Sequence, residues 1–151
     1  MCVLCSSLHA CLATAPGAGG GEARVSSVLN RDVKQFGKKF MFDGDEETCW
    51  NSDQGSPQWI LVEFTEEVCP EEIQLQFQGG FVGKDCWLEG SSGDGDLTRF
   101  MDFYPEDVNS VQRFTVKEAP SVKRLRIVFP TSTDFFGRVT VYKLDIIGTS
   151  I

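Results

Sequence analysis

The stretch FDGDEETCWNSDQGSPQWILVEF, Phe42 to Phe64, sets an acidic glycine turn, a threonine, two tryptophans and an alternating strand in a fixed order. An Asp-Gly-Asp turn supplies side-chain oxygens that bond nearby backbone amides, and the Trp50 indole that follows is large enough to seal whatever lies beneath it. From Gln58 the period becomes two. Ile60, Val62 and Phe64 point one way and Trp59, Leu61 and Glu63 the other, which predicts a strand with one face on a core. The stretch reads as a fold signature and holds no catalytic constellation.

The same pattern continues outward. Ile73 to Gln78 alternates apolar and polar without a fault, Gly79 to Gly83 breaks the run, Cys86 to Glu89 resumes it, and Gly90 to Asp96 forms a hairpin-like tip. Met101 with Phe103, and Phe114 with Val116, mark two more strands. Leu125, Ile127 and Phe129 share a face, and Val139 and Val141 change phase before Leu144 and Ile146, which predicts a bulge. Pro70 marks an edge or a turn, and Phe40 and Phe42 alternate as a strand does. Helix is expected for no more than a turn or two near Asp45 to Thr48, and no internal repeat occurs. The class is all-β, with strand signals at sandwich spacing.

At 151 residues and 41% hydrophobic composition the chain has the size and apolar content of one domain. Its 12 Phe, 3 Trp and 2 Tyr are mostly core candidates, each contributing about 1.5–3 kcal/mol when fully buried. Fourteen basic against 22 acidic residues give a formal charge of −8. That balance opposes direct nucleic-acid binding and adsorption to anionic lipid, and no apolar run is long enough to span a bilayer.

Residues 1–23 differ in character from the rest, being rich in Ala, Gly and Cys and free of Lys and Arg. They read as a poorly structured leader ahead of a domain over 24–151. Ala13-Thr14-Ala15 resembles a cleavage site, but the charged segment of a secretory signal is missing and Cys and Ser dilute the apolar part. Without the leader, Cys49, Cys69 and Cys86 remain, an odd number with no paired spacing. A disulfide is therefore not demanded, and a reducing compartment is the expectation, with one pair plus a free thiol as the other arrangement.

The order of turn, Trp50 and strand resembles the opening of the discoidin, or coagulation-factor C-type, domain. Arg124 to Phe129 and Val139 to Gly148 look like its two closing strands, so the resemblance covers about residues 24–149. It implies a jelly-roll β-sandwich of the galactose-binding-domain-like class, with Val25 and Ile147 close together and the binding loops at the opposite end. Longer motifs carry a closer resemblance: RVSSVLN from Arg24, QFGKK from Gln35, DEETCWNSDQG, FQGGF, DFYPED and TDFFGRV. Together they are similar to the nuclear receptor-associated family that binds the orphan testicular receptor. That resemblance implies a partner-binding repressor without enzymatic activity, in the nucleus and also the cytoplasm, acting by occluding the receptor from its DNA element. No Leu-x-x-Leu-Leu box is present, so docking is expected through a folded surface.

Tests for chemistry point the same way. The only histidine is His9, so the domain has no Ser-His-Asp or Cys-His constellation. Cys2, Cys5, His9 and Cys11 crowd into the leader with no groups to orient them as zinc ligands. No phosphate-binding glycine loop precedes a helix, and the pairs Asp43 with Asp45 and Glu46 with Glu47 read as solvated turn charges. No cofactor and no small-molecule ligand are expected. Relatives in the sugar-binding branch of the fold hold calcium at positions matching Asp43, Asp45 and Thr48, with a Glu five positions before the closing glycine. Lys143 stands there, and its ammonium is expected to pair with Asp43 or Asp45 and replace the ion.

The remaining candidates are loop aromatics. Phe81 in GGFVG, and Phe135 and Phe136 in TSTDFFGR, sit where turn residues predict exposure, with Asp134 and Arg138 as a polar rim. They either cap the barrel end or dock a partner. A carbohydrate or lipid-head-group module, or a subunit of another intracellular complex, stands as the alternative to receptor binding.

Overall fold

In the computed structural model, which describes residues 10–11 and 21–150, the strand that begins at Gln58 does not stop at Pro70 but runs to Phe77. In chain order the strands are β1 (Ala10–Cys11), β2 (Glu22–Val25), β3 (Trp50–Asn51), β4 (Gln58–Phe77), β5 (Gly83–Lys84) and β6 (Cys86–Ser91). They continue as β7 (Thr98–Phe103), β8 (Val111–Thr115), β9 (Val122–Phe129), β10 (Thr131–Ser132) and β11 (Thr140–Ser150). One short helix, α1 (Val33–Phe36), and two 3-10 turns, Leu29–Arg31 and Lys38–Met41, lie between β2 and β3.

β4 is the corner that makes two layers from one ribbon. Its first half pairs with β2 and β9, its second half with β11 and β8, and the register on β9 slips between Glu63 and Val68 where the strand turns from one layer to the other. β9 carries the first layer on to β6 and β7. Sequence patterning separates this element into two strands because Glu66, Glu67 and Pro70 interrupt the alternation. Pro70 is tolerated inside because it faces Gly148, where the β11 register also shifts, so little of the regular ladder is lost.

Both halves of β4 send their apolar face to one core. Ile60, Val62 and Phe64 from the first half meet Ile73, Leu75 and Phe77 from the second, all buried. Leu125, Ile127 and Phe129 close that core from β9. Phe77 meets the Phe129 ring edge-on at 5.8 Å, and Trp50 lies 6.4 Å from the same ring. The Trp50 indole is fully buried and donates Nε1–H to the Ser27 carbonyl at 2.9 Å, so its polar atom is satisfied where its body is dry. The phase change expected in β11 is present as a register shift between Val141 and Lys143.

Three expectations need correction. Phe40 and Phe42 do not alternate in a strand; Lys38–Met41 is a 3-10 turn, and its buried residue is Met41. The helical turn lies at Val33–Phe36, where the Asp32 side chain accepts from the Gln35 amide, and not at Asp45 to Thr48. The ends of the domain meet along β4, with Glu22 opposite Glu63 and Ser150 opposite Val68, while Val25 faces Ile60 and Ile147 faces Glu72. Cys69 is disulfide-bonded, while Cys49 and Cys86 are free. The cleavage-like Ala13-Thr14-Ala15 and the cysteine-histidine cluster at Cys2, Cys5 and His9 lie outside the described residues. Ala10 and Cys11 pair through their backbone with Gly148 and Ile147.

Candidate functional site

Three connections, residues 51–57, 78–85 and 130–139, are stitched into one end of the sandwich by hydrogen bonds from backbone amides to carbonyls and hydroxyls. Ser52 N–H donates to Val139 O at 2.9 Å, Val139 N–H returns to Ser52 Oγ at 2.8 Å, and Gly55 N–H donates to Phe136 O at 2.7 Å. On the other flank Thr133 N–H donates to Val82 O at 2.8 Å and Val82 N–H to Thr133 Oγ1 at 3.0 Å, beside the short β5–β10 ladder. Gln58, nearly buried, accepts from Ser26 and Ser27 hydroxyls and donates to Asp53 O and Gly55 O.

On this base the segment Asp134-Phe135-Phe136-Gly137-Arg138 folds as a tight turn around one carboxylate. Asp134 Oδ2 accepts from the amides of Phe136 at 3.2 Å and Arg138 at 3.0 Å, and the guanidinium of Arg138 grips both carboxylate oxygens at 2.9 and 3.1 Å. The hydrogen bond from the Arg138 side chain, helped by the two amides, holds the Asp134 carboxyl below the usual carboxylate range against a smaller desolvation effect. Gly137 closes the turn with φ of 83°, and a Cβ on it would stand 2.6 Å from the Gly55 carbonyl oxygen and 2.7 Å from Ser56 Oγ. Only glycine meets both the left-handed backbone and the close approach.

The turn lifts its aromatic pair outward. Phe135 is 93% exposed and Phe136 55%, their rings edge to face at 5.3 Å. The Arg138 guanidinium lies 5.2 Å from the Phe81 ring and 5.5 Å from the Phe136 ring, so it joins the two loops. All five residues singled out in the sequence, Phe81, Asp134, Phe135, Phe136 and Arg138, therefore gather in one place. Phe81 is only partly exposed, which departs from expectation, because the guanidinium packs against it. Phe135 seals nothing: a phenyl ring left in water forgoes about 1.5–3 kcal/mol of burial. The supports Ser52, Gln58 and Gly137 were not legible as such, since a serine or glutamine in a polar loop carries no sign that its side chain turns inward.

The acidic turn behaves otherwise. Thr48 Oγ1 donates to Asp43 Oδ2 at 2.6 Å, Asp45 N–H to Asp43 Oδ1 at 3.0 Å, and Glu47 N–H to Asp45 Oδ1 at 2.9 Å. The oxygens expected to face calcium are thus engaged with the turn itself. Lys143 lines the adjoining cavity together with Gly44, Asp45, Glu46 and Asp145. Its ammonium pairs with Asp145 at 3.3 Å, not with Asp43 or Asp45 as expected from the sequence. This donor set, with a fixed cation beside it, does not fit calcium. Among the described residues no group of three or more acidic, cysteine or histidine side chains is placed to hold a metal ion.

Burial pushes both free thiols, Cys49 and Cys86, upward, with Asp85 adding to the effect at Cys86, so neither is a ready nucleophile. What the loop end offers is a rigidly held, desolvatable aromatic surface with a paired charge at its rim. Among the described residues no helix is long and apolar enough to cross a membrane.

The fold and loop end define a galactose-binding-like, discoidin-class β-sandwich. Solved structures agree: a chitosan-binding module from Paenibacillus sp. IK-5 superposes with a TM-score of 0.71 at 19% identity over 91% of this chain and 98% of its own. An F5/8 type C domain from Bacteroides fragilis gives 0.74 at 13% identity, covering 86% and 92% of the two chains. A family 32 carbohydrate-binding module from Clostridium perfringens, solved with galactose, gives 0.69 at 16% identity, covering 83% and 92%. At these identities the likeness is one of fold. No protein-family model matches the chain.

Sequence relatives are closer. The Danio rerio nuclear receptor 2C2-associated protein is 65% identical over 127 residues, covering 84% of this chain and 90% of its own length. The Xenopus laevis and Homo sapiens proteins of the same name are 63% and 53% identical, each over 129 residues, or 85% of this chain, covering 94% and 92% of their own lengths. The chain belongs to the nuclear receptor 2C2-associated protein family.

Proposed function

We propose that this protein is a non-enzymatic interaction module that binds an orphan nuclear receptor through the Phe135–Phe136 loop and represses transactivation by hindering the receptor's hold on its DNA element. The observation that carries the reading is the pair of exposed rings, 93% and 55% accessible, fixed by the Asp134–Arg138 ion pair. Exposed aromatics beside a stacked arginine are the side chains that dominate binding energy when a partner covers them. The relatives' shared name supplies the class of partner.

Occlusion follows from charge. A chain of net charge −8 placed on a DNA-binding protein sets negative potential close to phosphates and weakens their approach without touching DNA itself. The module binds neither nucleic acid nor membrane directly and requires no cofactor or small-molecule ligand. It acts in the nucleus and also resides in the cytoplasm; this placement rests on the partner rather than on cysteine usage, since Cys69 is bonded.

The test is a pull-down from nuclear extract with the full chain, comparing wild type with Phe135→Ala/Phe136→Ala after circular dichroism shows both folded. Receptor retained by wild type and lost by the variant supports the reading; receptor held equally by both moves the interface off this loop. A glycan-binding reading is favoured by one observation, the likeness to carbohydrate-binding modules. It gains ground if neither protein captures receptor and both are retained on a glycan array.

A further inference from the structure

Between β2 and the helical turns that follow it lies an apolar groove of about 580 Å³ that shares no lining residue with the Phe135 loop. Val25, Val28, Val33 and Gly37 line it together with Arg24, Lys34, Lys38 and Lys39. Gly37 is buried, and a Cβ there would meet the Val33 carbonyl oxygen at 2.6 Å, so its bare backbone lets the Lys38–Met41 turn fold back against α1. Val33 is 60% exposed on the first turn of α1 and contributes nothing to the core.

The lining is unusual for this molecule. A chain with 22 acidic and 14 basic residues places four of those cations in the lining of one groove, beside three valines. Among the described residues Lys34, Lys38 and Lys39 make no ion pair; Lys39 lies 5.0 Å over the Phe40 ring, and Arg24 reaches Glu63 only at 3.9 Å across exposed surface. Folding gives no reason to collect these charges, which repel one another.

We propose that this groove is a second docking site, which takes a short acidic segment of a partner protein bearing an apolar side chain. The apolar side chain covers Val25, Val28 and Val33 while flanking carboxylates meet the ammonium groups of Lys34 and Lys38. Screening decides between a segment and a surface. The Debye length in physiological salt is about 8 Å, so a short peptide inside the groove feels the local cations. An anionic bilayer extends well beyond them and meets the acidic remainder of the chain. The lining holds no aromatic ring on which a nucleic-acid base could stack.

The experiment titrates the full chain into a fluorescein-labelled peptide carrying a Leu-Leu pair between runs of Glu, read by anisotropy. Companion titrations use the same peptide with Ser in place of Leu, and vesicles containing phosphatidylserine. Saturable binding of the Leu peptide is expected, weakened about tenfold by Lys34→Glu/Lys38→Glu. The equal charge change at exposed Lys117 and Lys123, made as Lys117→Glu/Lys123→Glu, is expected to leave it within about twofold. Val33→Ser, at a site too exposed to threaten folding, should weaken the Leu peptide and leave the Ser peptide unchanged. Equal weakening by the two charge-reversal variants, equal affinity for the Leu and Ser peptides, or binding to vesicles alone would overturn the proposal.

Discussion

Two turns on this sandwich begin from the same local chemistry and end with opposite surfaces. In both, an aspartate carboxylate accepts from backbone amides a few residues on, Asp43 from Asp45 and Asp134 from Phe136 and Arg138. Around Asp43 the residues that follow are acidic, Thr48 reaches back to the same carboxylate, and the turn presents solvated charge. Around Asp134 an arginine reaches back instead, and the residues pushed outward are phenylalanines. An Asx turn fixes backbone shape; the side chains it carries decide whether the result is a spacer or a contact surface. The Asp134 turn is also braced by the neighbouring 51–57 connection, which gives its aromatic tip a rigid base.

The contrast is tested most severely at the left-handed glycine within each of these two turns. Gly137 and Gly44 have φ of 83° and 73°, but a Cβ on Gly137 would collide with the Gly55 carbonyl, whereas nothing lies within 4 Å of one on Gly44. Gly137→Ala should therefore cost about 2–4 kcal/mol in urea unfolding, combining left-handed strain with overpacking. Gly44→Ala should cost only the strain, about 1–2 kcal/mol. Equal costs would mean that the Asp134 turn is no better braced than the acidic one.

Next in size is the removal of charge. Asp134→Asn leaves Arg138 without its carboxylate, and amide exchange at Phe136 and Arg138 should accelerate about tenfold. Asp43→Asn retains an acceptor for the Asp45 amide, so exchange there should change less than about threefold.

A smaller effect is expected from acid. Because Arg138 depresses the folded carboxyl of Asp134 below its ordinary value of 3.8, the contribution of this group is fully present above that value and is lost as pH falls through the depressed one. Amide exchange at Arg138, corrected for intrinsic rates, should thus stay constant from pH 7 to the ordinary carboxylate range and rise only below it. The smallest expected signal is that of calcium on the Asp43 turn. Calorimetric titration should give no saturable heat in the micromolar range, because Lys143 lines that cavity beside Asp145. Micromolar binding would overturn the reading of that turn as self-satisfied.

Much of the layered core was legible because it follows a period of two. Ile60 to Phe64, Ile73 to Phe77 and Leu125 to Phe129 all bury the face that alternation assigns, and the β11 phase change is present where expected. What period cannot show is how far a strand continues through charges and a proline. Glu66, Glu67 and Pro70 look like a break, yet pairing on β4 resumes beyond them with different neighbours. Nor does alternation separate a strand from a 3-10 turn over as few residues as Phe40 to Phe42. The five loop residues were found by composition, since adjacent phenylalanines beside a glycine have no inward-facing register to occupy. Their bracing by Ser52, Gln58 and Gly137 depends on residues far apart in sequence and leaves no local pattern, whereas the basic groove beside α1 is built within residues 24–39, where no regular period marks which side chains share a face.

The most direct measurement is the affinity of the purified full chain for purified receptor, by biolayer interferometry, for wild type and Phe135→Ala/Phe136→Ala. Both rings are exposed in the free protein, so the variant should unfold within about 0.5 kcal/mol of wild type. Binding should fall by about a hundredfold or more. Unchanged affinity in an equally stable variant would contradict the claim that this braced aromatic turn is the receptor-docking surface.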